Sequence, residues 1–339
     1  MLRGTGDPVR WDNLTLSAQS NQAQPDQGEL FGTDEVVERT FDTPEFRGMT
    51  FYEVWARSIV NKVPGASRMP FRWTINPYRG CSHSCVYCFA RRTHEYLDLD
   101  SGHDFDSKIV VKVNAPELLR AELRRPRWGR EHIAMGTNVD PYQRAEGRYR
   151  LMPPILEALR DAANPFSILT KGTLVLRDLD LLRHAAAVTE VAVNVSVGFV
   201  DEQLWRSVEP GTPASRARLD VCRKLTEAGI GCGVLMAPIL PYLTDSDEQL
   251  DATVRAIAET GATSVSPIVL HLRPGAREWY LGWLKREYPS LLPRYRELYA
   301  RGAYAPQFYQ RDVTARVAQL ARYHGVGSAS PQQARHRSA

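Results

Sequence analysis

Three cysteines fall within eight consecutive positions of this chain. Cys81, Cys85 and Cys88 are spaced Cys-x3-Cys-x2-Cys, and they are three of only five cysteines in 339 residues. Three thiols cannot pair evenly, and no apolar secretion signal precedes them, so we expect no disulfide framework. Metal binding is the chemistry that this crowding predicts.

The number of ligands distinguishes two kinds of metal site. Three thiolates on one loop suit a [4Fe–4S] cluster, whose fourth iron stays open for an exogenous ligand. Structural zinc takes four ligands, and His83, between the first two cysteines, would have to be the fourth. In that alternative the chain is a non-catalytic, zinc-stabilised nucleic-acid-binding protein.

Basic residues would bind the phosphates in the zinc alternative. The chain has a net charge of +4 and a pI of about 8.8, and its densest basic patch surrounds Trp128. The arginines of that patch are Arg120, Arg124, Arg125, Arg127 and Arg130. Cations also interact favourably with the carboxyl end of a predicted helix here, so the patch has a structural explanation as well.

The elements that must position the cysteines alternate regularly between strand and helix. The predicted core strands cover residues 71–75, 131–136, 166–170, 190–197, 231–237 and 263–270. A strand at 108–113 is an addition to this series. Such alternation predicts right-handed parallel βαβ units, but periodicity does not separate a partial barrel from an open doubly wound sheet.

Several polar residues follow these strands, where the chemistry of α/β barrels collects. The cysteine loop follows the first core strand, and the polar segment 136–143 follows the second. Lys171, one of only six lysines, follows the third. As a point charge it would suit a ligand carboxylate, or it is a solvated loop residue. Ser196 ends the fourth strand and needs a partner, either a ligand hydroxyl or a backbone group.

The motif Cys-x3-Cys-x-aromatic-Cys resembles the signature of the radical S-adenosylmethionine (SAM) superfamily. This resemblance implies an α/β fold, a partial (β/α)6 TIM-like barrel. It also implies that Cys81, Cys85 and Cys88 bind a [4Fe–4S] cluster whose open iron is chelated by SAM, with Tyr87 near the adenine. Reductive cleavage of SAM would give methionine and a 5′-deoxyadenosyl radical that abstracts hydrogen from a substrate. An external donor of the flavodoxin or ferredoxin type would supply the electron.

Further segments are similar to the spore photoproduct lyase branch, also called SplB-like or DNA-repair-photolyase-like proteins. The similarity spans roughly residues 70–275, and its weaker pieces are Glu209-Pro210-Gly211-Thr212 with Arg218, and Met236-Ala237-Pro238-Ile239. The resemblance implies that the residues at these strand ends bind SAM. Besides Tyr87, the predicted cofactor-binding residues are Thr137, Asn138, Asp140, Lys171, Ser196, Arg218 and Ala237.

One position departs from that branch. Spore photoproduct lyases have a hydrogen-donating cysteine after the second core strand, where this chain reads Thr137-Asn138-Val139-Asp140. We predict that Cys222 and Cys232 are buried structural thiols, and that Tyr142 is the catalytic hydrogen donor instead. The substrate stays unassigned, with DNA or another nucleic acid suggested by family analogy alone.

The rest of the chain predicts the domain organisation. We expect a disordered or loosely docked extension over 1–45, a packing segment over 46–70, the core over 71–275, a helical lid over 276–325 and a disordered tail over 326–339. No run of about 18 apolar residues occurs. We therefore expect a cytoplasmic protein without a membrane span, and we expect a monomer.

Overall fold

The computed structural model describes residues 36–64, 69 and 71–327. Its main sheet has seven strands in the order β11-β10-β9-β8-β7-β4-β3. These strands are β3 (Val60–Lys62), β4 (Trp73–Ile75), β7 (Ile133–Met135), β8 (Phe166–Thr170), β9 (Val191–Ser196), β10 (Cys232–Ile239) and β11 (Ser264–Val269). Neighbouring strands from β4 to β11 are parallel, and β3 is antiparallel to β4.

The six parallel strands coincide with the six predicted core strands, so the α/β fold of parallel βα units is confirmed. The described strands do not close into a barrel, because β3 and β11 form the two edges. Strand β3 was not predicted. Its three residues carry too little periodic pattern to separate them from a loop.

A second sheet has four strands in the order β1-β2-β6-β5. The strands are β1 (Val37–Thr40), β2 (Thr50–Val54), β5 (Tyr78–Arg79) and β6 (Lys108–Lys112). The additional strand predicted at 108–113 is β6, and it lies outside the main sheet. Strand β1 belongs to the predicted extension, of which residues 1–35 lie outside the described residues, as do 328–339 of the predicted tail.

Helices connect the strands and follow the last one. In chain order they are α1 (His103–Ser107), α2 (Ala115–Leu123), α3 (Arg144–Tyr149), α4 (Met152–Asp161), α5 (Leu179–Ala186), α6 (Glu202–Val208), α7 (Ser215–Glu227), α8 (Asp247–Ala258), α9 (Ala276–Glu287), α10 (Leu292–Leu298) and α11 (Gln307–Tyr323). Short 3-10 segments lie at Pro44–Phe46, Phe89–Leu97, Thr173–Asp178 and Pro289–Leu291. None of the described helices combines the length and apolar content that a membrane crossing requires.

Burial beneath the helices explains why the sequences of the parallel strands are almost continuously apolar. Helices cover the sheet, so residues such as Val193, Val195 and Ile168 are buried, and β-branched side chains pack well in such strands. One apolar cluster joins β4 to β9 with α4 and α7. A second joins the ends of β10 and β11 to helices α9, α10 and α11.

The three carboxyl-terminal helices pack against the last strands of the main sheet. The Tyr299 hydroxyl donates to the Leu270 carbonyl at 2.6 Å, and the Tyr295 hydroxyl donates to the Pro241 carbonyl at 2.6 Å. Tyr280, Trp283 and Tyr295 are buried in this contact. The helices therefore cover the apolar surface that an open sheet leaves at this end.

Candidate active site

The cysteine loop starts after β4 and is shaped by tight turns. The Ser84 amide donates to the Cys81 carbonyl at 3.2 Å, and the Cys88 amide donates to the Cys85 carbonyl at 3.2 Å. Ser84 sits at a φ of 53°, in the left-handed region. All five cysteines are free thiols, so no disulfide restrains this loop. The two turns fold the backbone tightly after the first motif cysteine and between the second and the third.

Neighbouring segments hold the loop in place. The side chain of Gln143, which is fully buried, accepts from the Ser82 amide at 2.9 Å and donates to the Gly80 carbonyl at 2.9 Å. The Gly211 amide donates to the His83 carbonyl at 3.1 Å. A Cβ atom at Gly211 would lie 2.1 Å from the Ser82 carbonyl oxygen, so only glycine allows this approach.

Burial raises the pKa of all three motif thiols. For Cys81 the carboxylate of Asp140 and the other two cysteines add to the effect, and its pKa lies well above the ordinary value. The pKa of Cys85 rises to about 12, and that of Cys88 is raised although the Arg91 guanidinium opposes the shift. A raised pKa favours the protonated thiol, and binding a metal would release these protons.

Asp140 links the loop after β7 to the cysteine loop and to the end of β8. Its carboxylate accepts from the Lys171 amide at 2.6 Å and from the Thr170 hydroxyl at 2.6 Å. His83 Nδ1 lies 3.3 Å from the same carboxylate. Burial alone would raise the Asp140 pKa, but His83 and these hydrogen bonds outweigh it, and the pKa is lowered. Asp140 is therefore an ionised link between three segments.

Lys171, Ser196 and Ala237 form a polar row across the ends of β8, β9 and β10. Lys171 Nζ donates to the Ser196 hydroxyl at 2.9 Å, and that hydroxyl donates to the Ala237 carbonyl at 3.0 Å. Lys171 Nζ also lies 5.7 Å from the centre of the Tyr87 ring. The lysine thus points across the strand ends toward the cysteine loop, so the expectation that its side chain lies in the mouth agrees with this geometry.

A buried ion pair adjoins this row. Arg218 donates to Glu209, and both side chains are 1% exposed. The Arg218 guanidinium also donates to the Ser196 carbonyl at 2.7 Å, and the Tyr87 hydroxyl donates to Glu209. Burial opposes the charge on Glu209, but Arg218 and Lys171 outweigh it, and the pKa of Glu209 is lowered. Tyr87, beside Cys88, is thereby held against the end of the sheet.

Two polar atoms at this edge are buried without a partner. The Thr137 hydroxyl and Arg218 Nε make no hydrogen bond within the described structure. Asn138, next to Thr137, is exposed. Buried polar groups are normally satisfied, so orphans beside a thiol loop fit a bound ligand with acceptor atoms.

Comparison with known proteins identifies the family. The model of the radical SAM superfamily matches residues 75–254, which include the cysteine loop and the strand ends from β7 to β10. The chain belongs to the radical SAM superfamily. The predicted resemblance is confirmed, and the protein is a radical SAM enzyme. Such enzymes use SAM with a [4Fe–4S] cluster and need an electron donor.

One relative matches nearly the whole of this radical SAM enzyme, and another matches about half of it. It is 50% identical over 325 residues to the Uncharacterized protein Rv2578c of Mycobacterium tuberculosis, covering 95% of both chains. It is 32% identical over 184 residues to the Uncharacterized protein MJ0683 of Methanocaldococcus jannaschii, covering 54% of this chain and 64% of the relative.

The fold is that of spore photoproduct lyase. The structure of that enzyme complexed with dinucleoside spore photoproduct is similar with a TM-score of 0.60 and 16% identity, over 82% of this chain and 80% of the other. A double mutant of the same lyase, with bound AdoMet and the same photoproduct, gives a TM-score of 0.57 and 15% identity, over 77% and 76%. At this identity the likeness shows the fold alone.

The predicted catalytic tyrosine of the radical SAM enzyme lies in a different network. Tyr142 is 2% exposed, and its hydroxyl donates to Asp178 at 3.1 Å. Asp178 in turn pairs with Arg177 at 2.7 Å. The structure thus brings Tyr87, Lys171, Ser196, Arg218 and Ala237 together, while the Tyr142 hydroxyl points into this separate buried network. Its role as hydrogen donor stays a prediction.

The remaining cysteines and the zinc alternative also have a structural context. Cys222 and Cys232 are fully buried in the apolar core, away from the loop. His83, the fourth ligand of the zinc alternative, is engaged by Asp140. Within the described part of the chain, no group of three or more His, Cys, Asp or Glu side chains is arranged to hold a metal ion. An iron–sulfur cluster has a different requirement, because its cysteines bind a cluster of several irons.

Sequence reasoning missed the roles of three residues. Gln143 clamps the loop backbone, Glu209 joins Tyr87 to Arg218, and Arg91 is a fully buried arginine beside Cys85. Glu209 stood in a motif quoted for the family, but its partners come from segments far away in the chain. Arg91 had a local signal, since a charged residue three positions after the last motif cysteine is an unusual choice for a buried site.

Proposed function

We propose that Cys81, Cys85 and Cys88 bind a [4Fe–4S] cluster and that the enzyme cleaves SAM reductively. The observation that carries the proposal is the set of three motif thiols in the loop after β4, of which Cys81 and Cys85 are buried and Cys88 is half-buried, near the polar row of Lys171, Ser196 and Ala237. Thiolate ligands suit iron–sulfur clusters. When bound, the cluster and SAM supply the 5′-deoxyadenosyl radical that abstracts hydrogen from the substrate.

The chain's own residues would bind and orient SAM. Lys171 offers a fixed positive charge for the carboxylate, and the Ser196 hydroxyl offers a hydrogen bond. Thr137 Oγ1 and Arg218 Nε provide donors that have no other partner in the described structure. Asn138 and Asp140 belong to the same edge, where Asp140 holds the backbone. Tyr87 is held by Glu209, and the centre of its ring lies 5.7 Å from Lys171 Nζ.

The packed strand ends also shield Cys81 and Cys85 from water, while Cys88 is half-buried. Cys81 and Cys85 are each 8% exposed, and Val86 between the motif cysteines is 7% exposed. The Val86 amide donates to the Val208 carbonyl at 3.0 Å, which joins the loop to α6. A shielded site protects a reactive radical from side reactions with solvent.

Nucleic acid is the substrate class that we propose, together with an external electron donor of the flavodoxin or ferredoxin type. The support for nucleic acid is the shared fold with spore photoproduct lyase, a structure of which contains a dinucleoside photoproduct. This is support by analogy of fold. Tyr142 as hydrogen donor, a monomeric state and a cytoplasmic location are retained as predictions.

Product analysis tests the proposed reaction. We expect the anaerobically reconstituted enzyme to release 5′-deoxyadenosine from SAM when dithionite is added, and we expect Cys85→Ala to release none. Cys222→Ala is the matched control, since it removes a buried thiol outside the loop. An iron-loaded wild-type enzyme that forms no 5′-deoxyadenosine, or a Cys85→Ala variant as active as Cys222→Ala, would contradict the proposal.

A further inference from the structure

Arg91 is a fully buried cation that contacts the backbone of the cysteine loop. Its Nε and one terminal nitrogen donate to the Cys85 carbonyl at 3.3 and 3.0 Å. The other terminal nitrogen donates to the Gly102 carbonyl at 2.8 Å and to the Ser101 carbonyl at 3.3 Å. The guanidinium therefore ties the cysteine loop to the loop before α1.

A carboxylate and two aromatic rings complete the environment of this guanidinium. Asp106 accepts from it at 2.9 and 3.0 Å with its two oxygens. The centres of the Phe105 and Trp279 rings lie 5.2 and 4.8 Å from the guanidinium carbon. The rings exclude water, and charge acts over a longer range where water is absent. Arg91 is therefore a fixed charge in a site with little water, and Asp106 offsets part of its field.

The carbonyl that accepts from the Arg91 guanidinium belongs to one of the motif cysteines. Cys85 is the second motif cysteine, and its carbonyl oxygen also accepts from the Cys88 amide at 3.2 Å. The Cys88 carbonyl in turn accepts from the Arg91 amide at 3.4 Å. Arg91 thus fixes the orientation of the peptide that separates the second and third cysteines. Two guanidinium donors converge on this one carbonyl, an arrangement that space filling alone does not require.

We propose that Arg91 is a positioning residue of the cluster site that acts in two ways. Its forked guanidinium group holds the turn that carries Cys85 and Cys88 in one orientation. Its charge raises the reduction potential of the bound cluster. The second effect follows because a nearby positive charge favours the reduced, more negative state of a cluster, and net charge is one determinant of cluster potentials. This inference rests on the proposed function, since it requires a cluster at these cysteines.

Substitutions at Arg91 and Asp106 separate the effect of the charge on the potential from the effect of the guanidinium on the turn. Arg91→Gln removes the positive charge and most of the fork, whereas Arg91→Lys keeps the charge without the fork. Asp106→Asn removes the partly exposed counter-charge of Arg91 and leaves the arginine in place. Arg177→Gln is the matched control, because Arg177 also pairs with buried carboxylates but lies in the network of Glu146 and Asp178.

The experiment is a potentiometric titration of the reconstituted enzyme, followed by electron paramagnetic resonance without SAM. We expect a more negative midpoint potential in Arg91→Gln, a more positive one in Asp106→Asn, and the wild-type value in Arg177→Gln. Arg91→Lys should keep a potential nearer to wild type than Arg91→Gln does, while its iron content falls because the turn is no longer held. Thermal unfolding of each variant measures the loss of stability separately.

The outcomes distinguish this inference from the proposed function. Shifts of the same sign in Arg91→Gln and Asp106→Asn, or an equal shift in Arg177→Gln, would overturn the role of the Arg91 charge. If Arg91→Gln does not fold, the sign of the Asp106→Asn shift decides the matter. A wild-type chain that binds no iron and sulfide would overturn the proposed function itself, and this inference with it.

Discussion

Glu209 connects side chains that arrive from distant parts of the sequence. It accepts from Tyr87 in the cysteine loop and pairs with Arg218 on α7, with both members of the ion pair buried. A buried ion pair costs much of its attraction in lost hydration, but removing one partner leaves an uncompensated buried charge. The stability of the site should therefore depend on Glu209 more than on any exposed carboxylate.

Glu209→Ala should destabilise the protein by about 3–5 kcal/mol, because Arg218 would keep its charge without a partner. Equilibrium unfolding in urea measures this loss. Glu202→Ala is the control, since Glu202 pairs with Arg206 with both side chains more than half exposed, and such pairs contribute about 0–1 kcal/mol. Equal losses in the two variants would show that the Glu209 pair is not buried as described.

At this scale the sequence predicted residue types better than residue partners. The spacing of Cys81, Cys85 and Cys88 is a local property, and it was sufficient to predict a cluster site. Lys171 and Ser196 could be placed because Lys171 follows a strand and Ser196 ends one, and the ends of parallel strands lie at one edge. The contacts of Gln143, Glu209 and Arg91 join segments brought together only by the fold, so no spacing in the sequence encodes them.

Glycine governs how closely the elements around the cysteine loop approach. Gly211, after α6, contacts the carbonyl of Ser82 so closely that an added Cβ would lie 2.1 Å from its oxygen. Gly282 in α9 has no atom within 4 Å of the same added position. The two glycines therefore provide a matched pair.

Gly211→Ala should displace the cysteine loop and lower both the melting temperature and the iron content after reconstitution. Gly282→Ala should stabilise the protein by roughly 0.5–1 kcal/mol, because alanine is the better residue inside a helix. Thermal unfolding and iron analysis of both variants test this pair. A Gly211→Ala protein with the wild-type iron content would contradict the close approach.

Strand β6 buries a lysine whose pKa is lowered. Lys112 is 4% exposed, and burial, with Arg79 adding to it, lowers its pKa to about 7 from an ordinary 10.5, although Glu122 opposes the shift. Between these two values the unfolded chain binds more protons than the folded chain. The free energy of unfolding contributed by Lys112 therefore rises with pH in this range.

Relative to Lys112→Met, the wild-type protein should gain stability from pH 7 to pH 9, with a slope of up to about 1.4 kcal/mol per pH unit. Urea unfolding of both proteins at several pH values gives the difference directly. A difference that does not change with pH would mean that the folded-state pKa of Lys112 is not lowered.

At the scale of the whole molecule, the two sheets differ in how far the sequence predicts them. The predicted alternation of strand and helix gave the six parallel strands, because each βα unit has its own periodic pattern. The second sheet was not predicted. Its strands come from residues 37–40, 50–54, 78–79 and 108–112, and pairing over such distances has no local signal.

Tyr299 joins the carboxyl-terminal helices to the last strand of the sheet. Tyr299→Phe should cost about 1–3 kcal/mol, since the buried Leu270 carbonyl would lose the hydroxyl that donates to it at 2.6 Å. Tyr323→Phe, at a side chain that is 81% exposed, should change stability by no more than about 0.5 kcal/mol. Thermal or urea unfolding compares the two, and equal effects would contradict the coupling between helices and sheet.

The most direct measurement is the metal content of the anaerobically reconstituted protein. We expect about four irons and four sulfides per chain in the wild type and in Cys222→Ala, with almost none when Cys81, Cys85 and Cys88 are all replaced by alanine. One zinc per chain without sulfide, or an iron–sulfur content that survives the triple replacement, would contradict this expectation.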